Sequence, residues 1–360
     1  MTGVYVHIPF CVKKCAYCDF NSYDNINDLK DSYTDAVIGE INGYSGEITA
    51  DTVFFGGGTP TALGIPRLIR IIDAVKNKFK LEKCEFTVEA NPATVDAQGL
   101  LLLHNAGVNR LSLGLQSCNN RELAALGRIH TYEDFLKTYR DAQNAGFENI
   151  NIDIMFGIPC QTEESFADTL KTAADLNPSH ISCYSLIIEE NTPFYNMKLD
   201  LPDEETERRM YYTAVDFFAS RGYAQYEISN FAKPGCECRH NIKYWTRANY
   251  AGFGAGACSM INNVRYKNTS DVSEYIKNNR PEREVLTKEE ALAEHIFLGL
   301  RLTGGFNIAE TERLYGINFF KRYGDIVEKY EKAGLLKTGE NLMLTREGIS
   351  VSNTVMCEFL

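Results

Sequence analysis

Strand-like and helix-like segments alternate along the first half of the chain, and this alternation restricts the fold more than any other feature. Repeated βαβ units produce a parallel sheet, because each crossover helix returns the chain to the same end of the next strand. The pattern therefore predicts an α/β fold whose first part is a partial, six-stranded, TIM-like barrel. The predicted strands are residues 4–7, 53–55, 85–89, 110–114, 150–156 and 180–186, and the predicted helices between them are residues 29–41, 65–79, 132–145 and 163–176.

Three closely spaced cysteines follow the first predicted strand. Residues 7–20 read HIPFCVKKCAYCDF, so Cys11, Cys15 and Cys18 form a C-x3-C-x2-C array. A structural zinc site has four ligands, and the next cysteine, Cys84, lies 66 residues further along the chain. Thiolates favour iron–sulfur centres, and three of them leave one coordination position open to a small molecule. The alternative is a chance group of buried core thiols.

Further distinctive residues follow the other predicted strands. The segment GGGTP, residues 56–60, follows the second strand, EANP, residues 89–92, ends the third, and Gln116 follows the fourth. The carboxyl ends of parallel strands meet at one rim of a barrel, where the βα loops build binding sites. A glycine run by itself predicts only a sharp turn, but at this rim it lets the backbone approach a ligand closely. We therefore expect the cysteine loop and these segments to surround one site.

Composition excludes several classes of protein. The net charge of −11 argues against a broad nucleic-acid-binding surface, which needs clustered Lys and Arg. No apolar stretch approaches the roughly 18 residues that span a bilayer, and the N-terminus lacks the pattern of a secretory signal. Eleven cysteines without a disulfide-like spacing suit a reducing compartment. We expect a cytoplasmic protein that does not bind nucleic acid.

The pattern changes after residue 200. Residues 201–284 begin with a charged helix, predicted at 203–221, and continue as a loop-rich extension. Residues 285–360 read as three helices, a hairpin with a glycine-containing turn and a closing helix, which predicts an α+β winged-helix-like domain. This last region has 9 Lys plus Arg against 11 Asp plus Glu, so we expect a packing or protein-contact module rather than a DNA-binding one. Residues 1–200 would form the barrel.

Four segments carry a resemblance to a known family. The cysteine array, FTVEANP at residues 86–92, NRLSLGLQS at 109–117 and NIDIMFGIP at 151–159 resemble the HemN and HemW branch of the radical S-adenosylmethionine (SAM) superfamily. The resemblance extends through essentially the whole chain and implies a radical SAM partial barrel with a HemN-type C-terminal domain. It also implies that Cys11, Cys15 and Cys18 hold a [4Fe–4S] cluster whose fourth iron is chelated by SAM.

The resemblance assigns SAM contacts residue by residue. Asp153 would accept hydrogen bonds from the ribose hydroxyls, Arg128 would pair with the methionyl carboxylate, and the glycine segment would bind the methionyl amino group. Each of these residues alone has a structural alternative, such as a helix cap or a surface ion pair, and only the set in its motif context favours the cofactor. The matching positions are Tyr5, Gly57, Gly58, Thr59, Glu89, Gln116, Arg128 and Asp153.

A second motif suggests haem. Residues 240–245 read HNIKYW, an HNxxYW segment that marks HemW proteins, and the resemblance implies that His240 is a haem ligand. An imidazole beside large aromatic side chains suits a flat porphyrin, although a lone histidine is more often a satisfied core residue. Cys236, Cys238 and Cys258 stand nearby, the last two where the family commonly has other residues. They are inert small hydrophobes or alternative haem or metal ligands.

Phe20 separates two functions within this branch. HemN-type oxidases commonly have a fourth cysteine at this position, and CDF is typical of HemW. We therefore expect a haem chaperone that binds a cluster, SAM and haem and delivers haem to acceptor proteins such as respiratory haem enzymes. Peripheral membrane contact would come only through such an acceptor. The alternatives are an oxygen-independent coproporphyrinogen III oxidase and a radical SAM enzyme that acts on haem itself.

Overall fold

The computed structural model describes residues 1–360. The strands are β1 (Thr2–Ile8), β2 (Thr49–Gly57), β3 (Lys80–Ala90), β4 (Arg110–Gln116), β5 (Asn149–Phe156), β6 (His180–Ser185), β7 (Ala224–Glu227), β8 (Asn230–Ala232), β9 (Tyr250–Phe253), β10 (Cys258–Ile261), β11 (Val264–Lys267), β12 (Glu282–Val285), β13 (Phe306–Asn307), β14 (Leu336–Thr338) and β15 (Asn341–Leu344). The α-helices are α1 (Lys30–Gly43), α2 (Ile65–Lys78), α3 (Ala97–Asn105), α4 (Asn120–Ala125), α5 (Tyr132–Asn144), α6 (Glu163–Asp175), α7 (Glu204–Ser220), α8 (Arg239–Trp245), α9 (Val272–Asn278), α10 (Lys288–Gly299), α11 (Ile308–Tyr315), α12 (Phe319–Lys332), α13 (Arg346–Ser350) and α14 (Ser352–Cys357).

Six parallel strands form the centre of the large sheet. Strands β1 to β6 lie side by side in chain order, and each is joined to the next by at least one helix. Every residue of β4 is buried, as expected for a strand covered on both faces. The outermost strands of the sheet, β12 and β7, do not pair with each other, so the barrel is partial. The predicted fold class is confirmed.

The predicted strands and helices of the barrel are present. All six strands lie where the apolar runs predicted them, and α1, α2, α5 and α6 match the four amphipathic patterns within two residues at each end. Local sequence explains the boundaries: Thr131 and Asp134 form a capping box at the start of α5, for example. Two further helices, α3 and α4, were not predicted because they are short. No helix combines the length and apolar character that crossing a bilayer requires.

Strands β7 to β12, which follow residue 200, join the same sheet instead of forming a separate one. Strands β8 and β7 extend it beyond β6, and β9 pairs in parallel with β1 at the other side, followed by β10, β11 and β12. The extension predicted at 201–284 thus borders the barrel on both edges. This arrangement brings α8, which carries the HNxxYW segment, next to β2.

The C-terminal region has its own hydrophobic core. Helices α10, α11 and α12 are followed by the β14–β15 hairpin, and β13 completes a three-stranded sheet. Leu292, Phe319 and Leu342 are among the buried residues of this core. The order of elements is that of the predicted winged-helix-like domain. Backbone hydrogen bonds attach it to the barrel, including one from Ile228 N–H to the Arg301 carbonyl at 3.1 Å.

Candidate functional site

One cavity at the carboxyl ends of the barrel strands contains most of the predicted site residues. Its volume is 430 Å³, and it lies where the βα loops meet. The predicted residues that line it are Cys11, Cys15, Cys18, Gly57, Gly58, Thr59, Glu89, Gln116, Arg128 and Asp153. Tyr5 and His240 line a smaller inner cavity of 190 Å³, which shares Glu89, Ser112, Asp153, Ser182 and Asn241 with the larger one.

The three cysteines lie on the loop between β1 and α1. Backbone hydrogen bonds between Cys11 and Tyr23 (2.8 Å), and between Tyr23 and Pro9 (2.7 Å), close this loop. Cys11 is buried, whereas Cys15 and Cys18 are half-buried and border the cavity. Burial raises the pKa of the Cys11 and Cys18 thiols. Hydrogen bonds offset part of the rise, from the Thr59 and Ser22 hydroxyls for Cys11, and from the Phe20 backbone and the Ser22 hydroxyl for Cys18. Binding of a metal centre would supply the positive charge that deprotonates them.

The donor set fits an iron–sulfur cluster. No group of three or more His, Cys, Asp or Glu side chains is arranged to hold a single metal ion. The ligands of a [4Fe–4S] cluster bind different iron atoms, so they surround the cluster instead of converging on one point. Cys11, Cys15 and Cys18 border one end of the cavity, and the other lining groups leave room for a small molecule beside them.

The glycine segment packs against the cysteine loop. Gly58 N–H donates to the Ile8 carbonyl (2.9 Å), and Thr59 N–H donates to the Phe10 carbonyl (2.8 Å). A Cβ atom added to Gly58 would lie 2.8 Å from the Phe10 carbonyl oxygen and 3.1 Å from the Cys11 sulfur. Any larger residue here would therefore displace the loop that carries Cys11.

Arg128 connects the cysteine loop to the strand ends. Its Nη1 lies 3.6 Å from the Cys15 sulfur, and its Nη2 donates to the Asn91 Oδ1 (2.7 Å) and to the Gly114 carbonyl (2.8 Å). Asn91 in turn donates to the Thr59 hydroxyl at 2.7 Å. These contacts hold the guanidinium group at the cavity wall, beside the thiols, where it can pair with an anionic group of a ligand.

Asp153 projects from β5 into the cavity. Ser112 donates a hydrogen bond to its Oδ2 (3.1 Å), and Asn151 donates to its Oδ1 (2.7 Å). Each carboxylate oxygen keeps a further lone pair for a ligand hydroxyl. Burial raises the pKa of Asp153, and these hydrogen bonds together with that from Ser182 lower it in part. The position suits the ribose contact that the resemblance implies.

Glu89 lies on β3 in the junction between the two cavities. Burial, and secondly the negative charge of Asp153, raises the pKa of Glu89 to about 8, against an ordinary value of 4.5. Tyr5, whose pKa is also raised by burial and by Glu89, donates or accepts a hydrogen bond with His7 Nδ1 at 3.0 Å. In the ligand-free protein, Glu89 is therefore expected to be protonated near neutral pH.

The raised pKa of Glu89 predicts how stability depends on pH. Between pH 4.5 and about 8 the folded protein keeps a proton on Glu89 that the unfolded chain has lost, so the contribution of Glu89 to the free energy of unfolding falls as pH rises. The expected slope is at most about 1.4 kcal/mol per pH unit. In Glu89→Gln this contribution to the pH dependence is absent, while the Asp153 carboxyl group is retained. The difference between the two pH profiles therefore reports the titration of Glu89. Urea unfolding of the ligand-free proteins across this range checks the prediction, and parallel pH profiles would contradict it.

Gln116 has an unusual backbone conformation. Its φ angle is +68°, a left-handed value that is uncommon for residues other than glycine, and it lies at an irregularity in the pairing of β4 with β5. The Tyr184 hydroxyl donates to its side-chain oxygen at 3.1 Å. The kink directs the side chain into the cavity at the end of β4. Strained positions of this kind are frequent in functional sites.

His240 is buried inside the protein with both ring nitrogens occupied. Nδ1 is 2.9 Å from the Thr52 hydroxyl, and Nε2 is 2.9 Å from the Tyr244 hydroxyl. The ring stacks on Phe54, and the residue is only 1% exposed. Burial lowers the pKa of His240 to about 3, helped by the charges of Lys243 and Arg110, so the imidazole is neutral. Binding of iron to Nε2 would require the Tyr244 hydroxyl to move away.

The three further cysteines do not form a group with His240. Cys238 is buried, and its sulfur lies 3.7 Å from Glu85 Oε1. Cys236 and Cys258 are half-buried. Burial raises the pKa of the Cys238 thiol to about 12 and also raises that of Cys258, which favours the neutral thiol over the thiolate. These properties favour the interpretation as small hydrophobic residues.

Sequence reasoning overlooked part of the site. Asn241 lines both cavities, and Arg110 lines the inner one although it is 2% exposed and begins β4. Asn91 connects Arg128 with Thr59. All three lie in segments that carried the resemblance, and polarity within an otherwise apolar strand was the available signal for Arg110. Their roles depend on the packing of separate segments.

Comparison with known proteins supports both domains. A family model described as the radical SAM superfamily matches residues 5–173, and one described as the HemN C-terminal domain matches residues 286–351. A solved structure of coproporphyrinogen III oxidase (HemN) from Escherichia coli, described as a radical SAM enzyme, superposes with a TM-score of 0.89. It is 25% identical in sequence, and the match covers 99% of this chain and 89% of that protein.

Curated relatives are more similar in sequence. The "Heme chaperone HemW" of Bacillus subtilis is 39% identical over 100% of this chain and 99% of its own length. That of Lactococcus lactis is 37% identical over 99% of this chain and 97% of its own length. That of Escherichia coli is 38% identical over 72% of this chain and 70% of its own length. The chain therefore belongs to the HemW family within the radical SAM superfamily, as its cysteine loop and neighbouring segments predicted.

Proposed function

We propose that this protein is a haem chaperone that holds a [4Fe–4S] cluster and SAM in the barrel and transfers haem to acceptor haem proteins. The observation that carries this proposal is the similarity, along the whole chain, to relatives that are named heme chaperones. The cavity supports it, because three thiols and several polar side chains from different strands line one space. Respiratory haem enzymes are the proposed acceptors.

Within this proposal, the residues of the large cavity have separate roles. Cys11, Cys15 and Cys18 would hold the cluster, which offers one open iron position to the amino and carboxylate groups of SAM. Arg128, fixed by Asn91 and Gly114, would orient the methionyl carboxylate. A larger set would position the rest of SAM and exclude water from it, and this set comprises Tyr5, Gly57, Gly58, Thr59, Glu89, Gln116 and Asp153.

His240 is the proposed ligand of the haem iron. Its neutral imidazole has the protonation state that a ligand needs. Nε2 is bonded to the Tyr244 hydroxyl on the same helix, so rotation of one side chain would free this nitrogen. Thr52 would keep its contact with Nδ1 and hold the ring in place, as hydrogen-bond partners of ligating histidines generally do.

A coproporphyrinogen III oxidase is the second candidate function. The extensive structural similarity to HemN favours it, because the two chains share one architecture from end to end. Phe20 argues against it, since the oxidases commonly have a cysteine at that position, and here the phenylalanine side chain is 65% exposed at the rim of the cavity. A fold shared by two proteins does not decide between their reactions.

Anaerobic reconstitution followed by two parallel assays tests the proposal. We expect the protein to bind haem and to load a haem-free respiratory cytochrome, measured by its absorption spectrum, and to release the haem chemically unchanged. We expect no sustained decarboxylation of coproporphyrinogen III when SAM and a reductant are supplied. Accumulation of protoporphyrinogen over many turnovers would favour the oxidase, and a modified haem product would favour an enzyme that acts on haem.

Titration of haem into the reconstituted protein, followed by the absorption spectrum, tests His240 as the ligand. His240→Ala should weaken haem binding about tenfold or more and shift the Soret band, because the iron loses a ligand. Tyr244→Phe should strengthen binding slightly, since it removes the hydroxyl that occupies Nε2. The cluster should keep its signal in both variants. If neither variant changes the spectrum while a Cys236, Cys238 or Cys258 variant does, a thiolate is the ligand instead.

A further inference from the structure

Arg110 is a charged residue inside the barrel that has no partner. It begins β4 and is only 2% exposed. A guanidinium group stays protonated in proteins, so a full positive charge is buried here. The side chain forms neither a hydrogen bond nor an ion pair with another residue, and its Nε is completely enclosed. An unpaired buried charge is strongly destabilising, so a folded protein rarely retains one without a reason.

The two Nη nitrogens of Arg110 face the inner cavity. Arg110 is among the residues that line this space of 190 Å³, and only its Nε is sealed off by protein atoms. Most of the N–H bonds of a guanidinium group belong to the two Nη nitrogens. A ligand in the inner cavity can therefore accept hydrogen bonds from Arg110 directly.

Arg110 lies deeper in the barrel than the predicted SAM contacts. It starts β4, whereas Gln116 ends this strand. At about 3.3 Å per residue, the two positions are roughly 20 Å apart along the strand. Ser112 lies between them and lines both cavities, whereas Arg110 lines only the inner one. The guanidinium group of Arg110 is thus separate from the site proposed for SAM.

The carboxylates closest to Arg110 are engaged elsewhere. Glu85 accepts hydrogen bonds from the backbone N–H groups of Arg239 and His240 at the start of α8, both at 3.0 Å. Asp153 accepts hydrogen bonds from two neighbouring side chains. Both carboxylates act on Arg110 through space but form no hydrogen bond with it. The guanidinium group therefore keeps its donors available.

The wall of the inner cavity contains one positive and one negative charge, those of Arg110 and Asp153. Glu89 and His240 are neutral near neutral pH, because burial raises the pKa of Glu89 to about 8 and lowers the pKa of His240 to about 3. An anion with a single charge would be attracted to Arg110. A dianion would in addition be repelled by Asp153.

The size of the inner cavity limits what can bind there. Its 190 Å³ is somewhat more than the roughly 150 Å³ that admits benzene, and less than the roughly 300 Å³ of the smaller pockets for drug-sized ligands. The rings of Tyr5, Phe54 and Tyr244 supply apolar surface, and the side-chain amide of Asn241 can donate a further hydrogen bond. A small organic anion fits this space, whereas a porphyrin does not.

We propose that the inner cavity binds a small monocarboxylate through Arg110. The two Nη nitrogens would donate paired hydrogen bonds to the two carboxylate oxygens, a geometry that suits the planar guanidinium group. The short apolar part of the ligand would contact the aromatic rings. Such a ligand would neutralise the buried charge that has no partner in the protein. This site goes beyond the proposed chaperone function and requires neither haem nor SAM.

Propionate and propionamide, which have similar shapes but differ in charge, are the two probes. Each is titrated calorimetrically at constant ionic strength into the full-length protein with its cluster reconstituted and without SAM. Propionate should bind at least tenfold more tightly than propionamide, and Arg110→Gln should remove this preference. Arg110→Lys should keep only part of it, because an ammonium group lacks the paired donors. Arg70→Gln alters an exposed arginine on α2 and, as the matched control, should bind propionate like the wild-type protein.

Several results would overturn the assignment. Equal affinities of the wild-type protein for propionate and propionamide, or equal affinities of Arg110→Gln and the wild-type protein for propionate, would show that the cavity is not a carboxylate site. Tighter binding of inorganic phosphate than of propionate would show that the ligand class is wrong. If Arg110→Gln does not fold, Asn241→Leu decides, because its larger side chain fills part of the cavity and should abolish propionate binding. Unchanged binding by Asn241→Leu would then overturn the site. None of these measurements involves haem, so the chaperone proposal is tested separately.

Discussion

Replacement of Cys11, Cys15 or Cys18 by serine is expected to abolish the [4Fe–4S] cluster. These thiols lie on one loop and border one end of the cavity, with no fourth cysteine in its lining that could take over. A serine hydroxyl is a hard, weakly acidic donor that replaces thiolate poorly on iron. Each single variant, reconstituted anaerobically, should lack the broad visible absorption and the paramagnetic signal of the reduced cluster, and should contain little iron and sulfide.

A cysteine outside the cavity provides the control. Cys160 is exposed and lies in the loop before α6, so Cys160→Ser should bind iron and sulfide like the wild-type protein. Circular dichroism of each variant before reconstitution distinguishes loss of a ligand from loss of the fold. A full cluster in all three loop variants would show that the ligands lie elsewhere in the chain.

The barrel could be predicted from the sequence because its signals are local. An apolar run such as residues 150–156 is buried on both sides of a parallel sheet, and a helix such as α5 carries its own capping box. The edges of the sheet could not be predicted in the same way. Strand β9 has four residues and pairs with β1, about 250 positions earlier, and nothing local specifies so distant a partner.

The residues of the candidate site also fall into those with a local sequence signal and those whose positions depend on the packing of distant segments. Gln116, which ends β4, was predictable because parallel strands place their carboxyl ends together, whereas Asp153 lies within β5 and was assigned only through the resemblance. The contact of Arg128 with the Cys15 sulfur and the burial of His240 against Phe54 depend on how separate segments pack.

Asp153→Asn is expected to weaken SAM binding about 10- to 100-fold, which corresponds to the roughly 1.5–3 kcal/mol of hydrogen bonds to a charged group. Both Asp153 oxygens already accept a hydrogen bond, from Ser112 and from Asn151. In Asp153→Asn an NH₂ group replaces one of the two carboxylate oxygens, and this donor would face the donor group of Ser112 or Asn151. Only one side-chain oxygen would remain to accept hydrogen bonds from the two ribose hydroxyls.

The cluster should remain intact in Asp153→Asn, because the Asp153 carboxylate forms its hydrogen bonds with Ser112 and Asn151 and not with the cysteine loop. Equilibrium dialysis of SAM against protein of matched iron content therefore isolates the effect on binding. Asp175→Asn is the matched control: this aspartate ends α6, forms an exposed ion pair with Arg221, and should leave SAM affinity unchanged. Equal affinities of Asp153→Asn and the wild-type protein would remove Asp153 from the site. The loss expected instead would support a SAM molecule that extends from the cysteine loop across the barrel to β5, because only a ligand of that length contacts both.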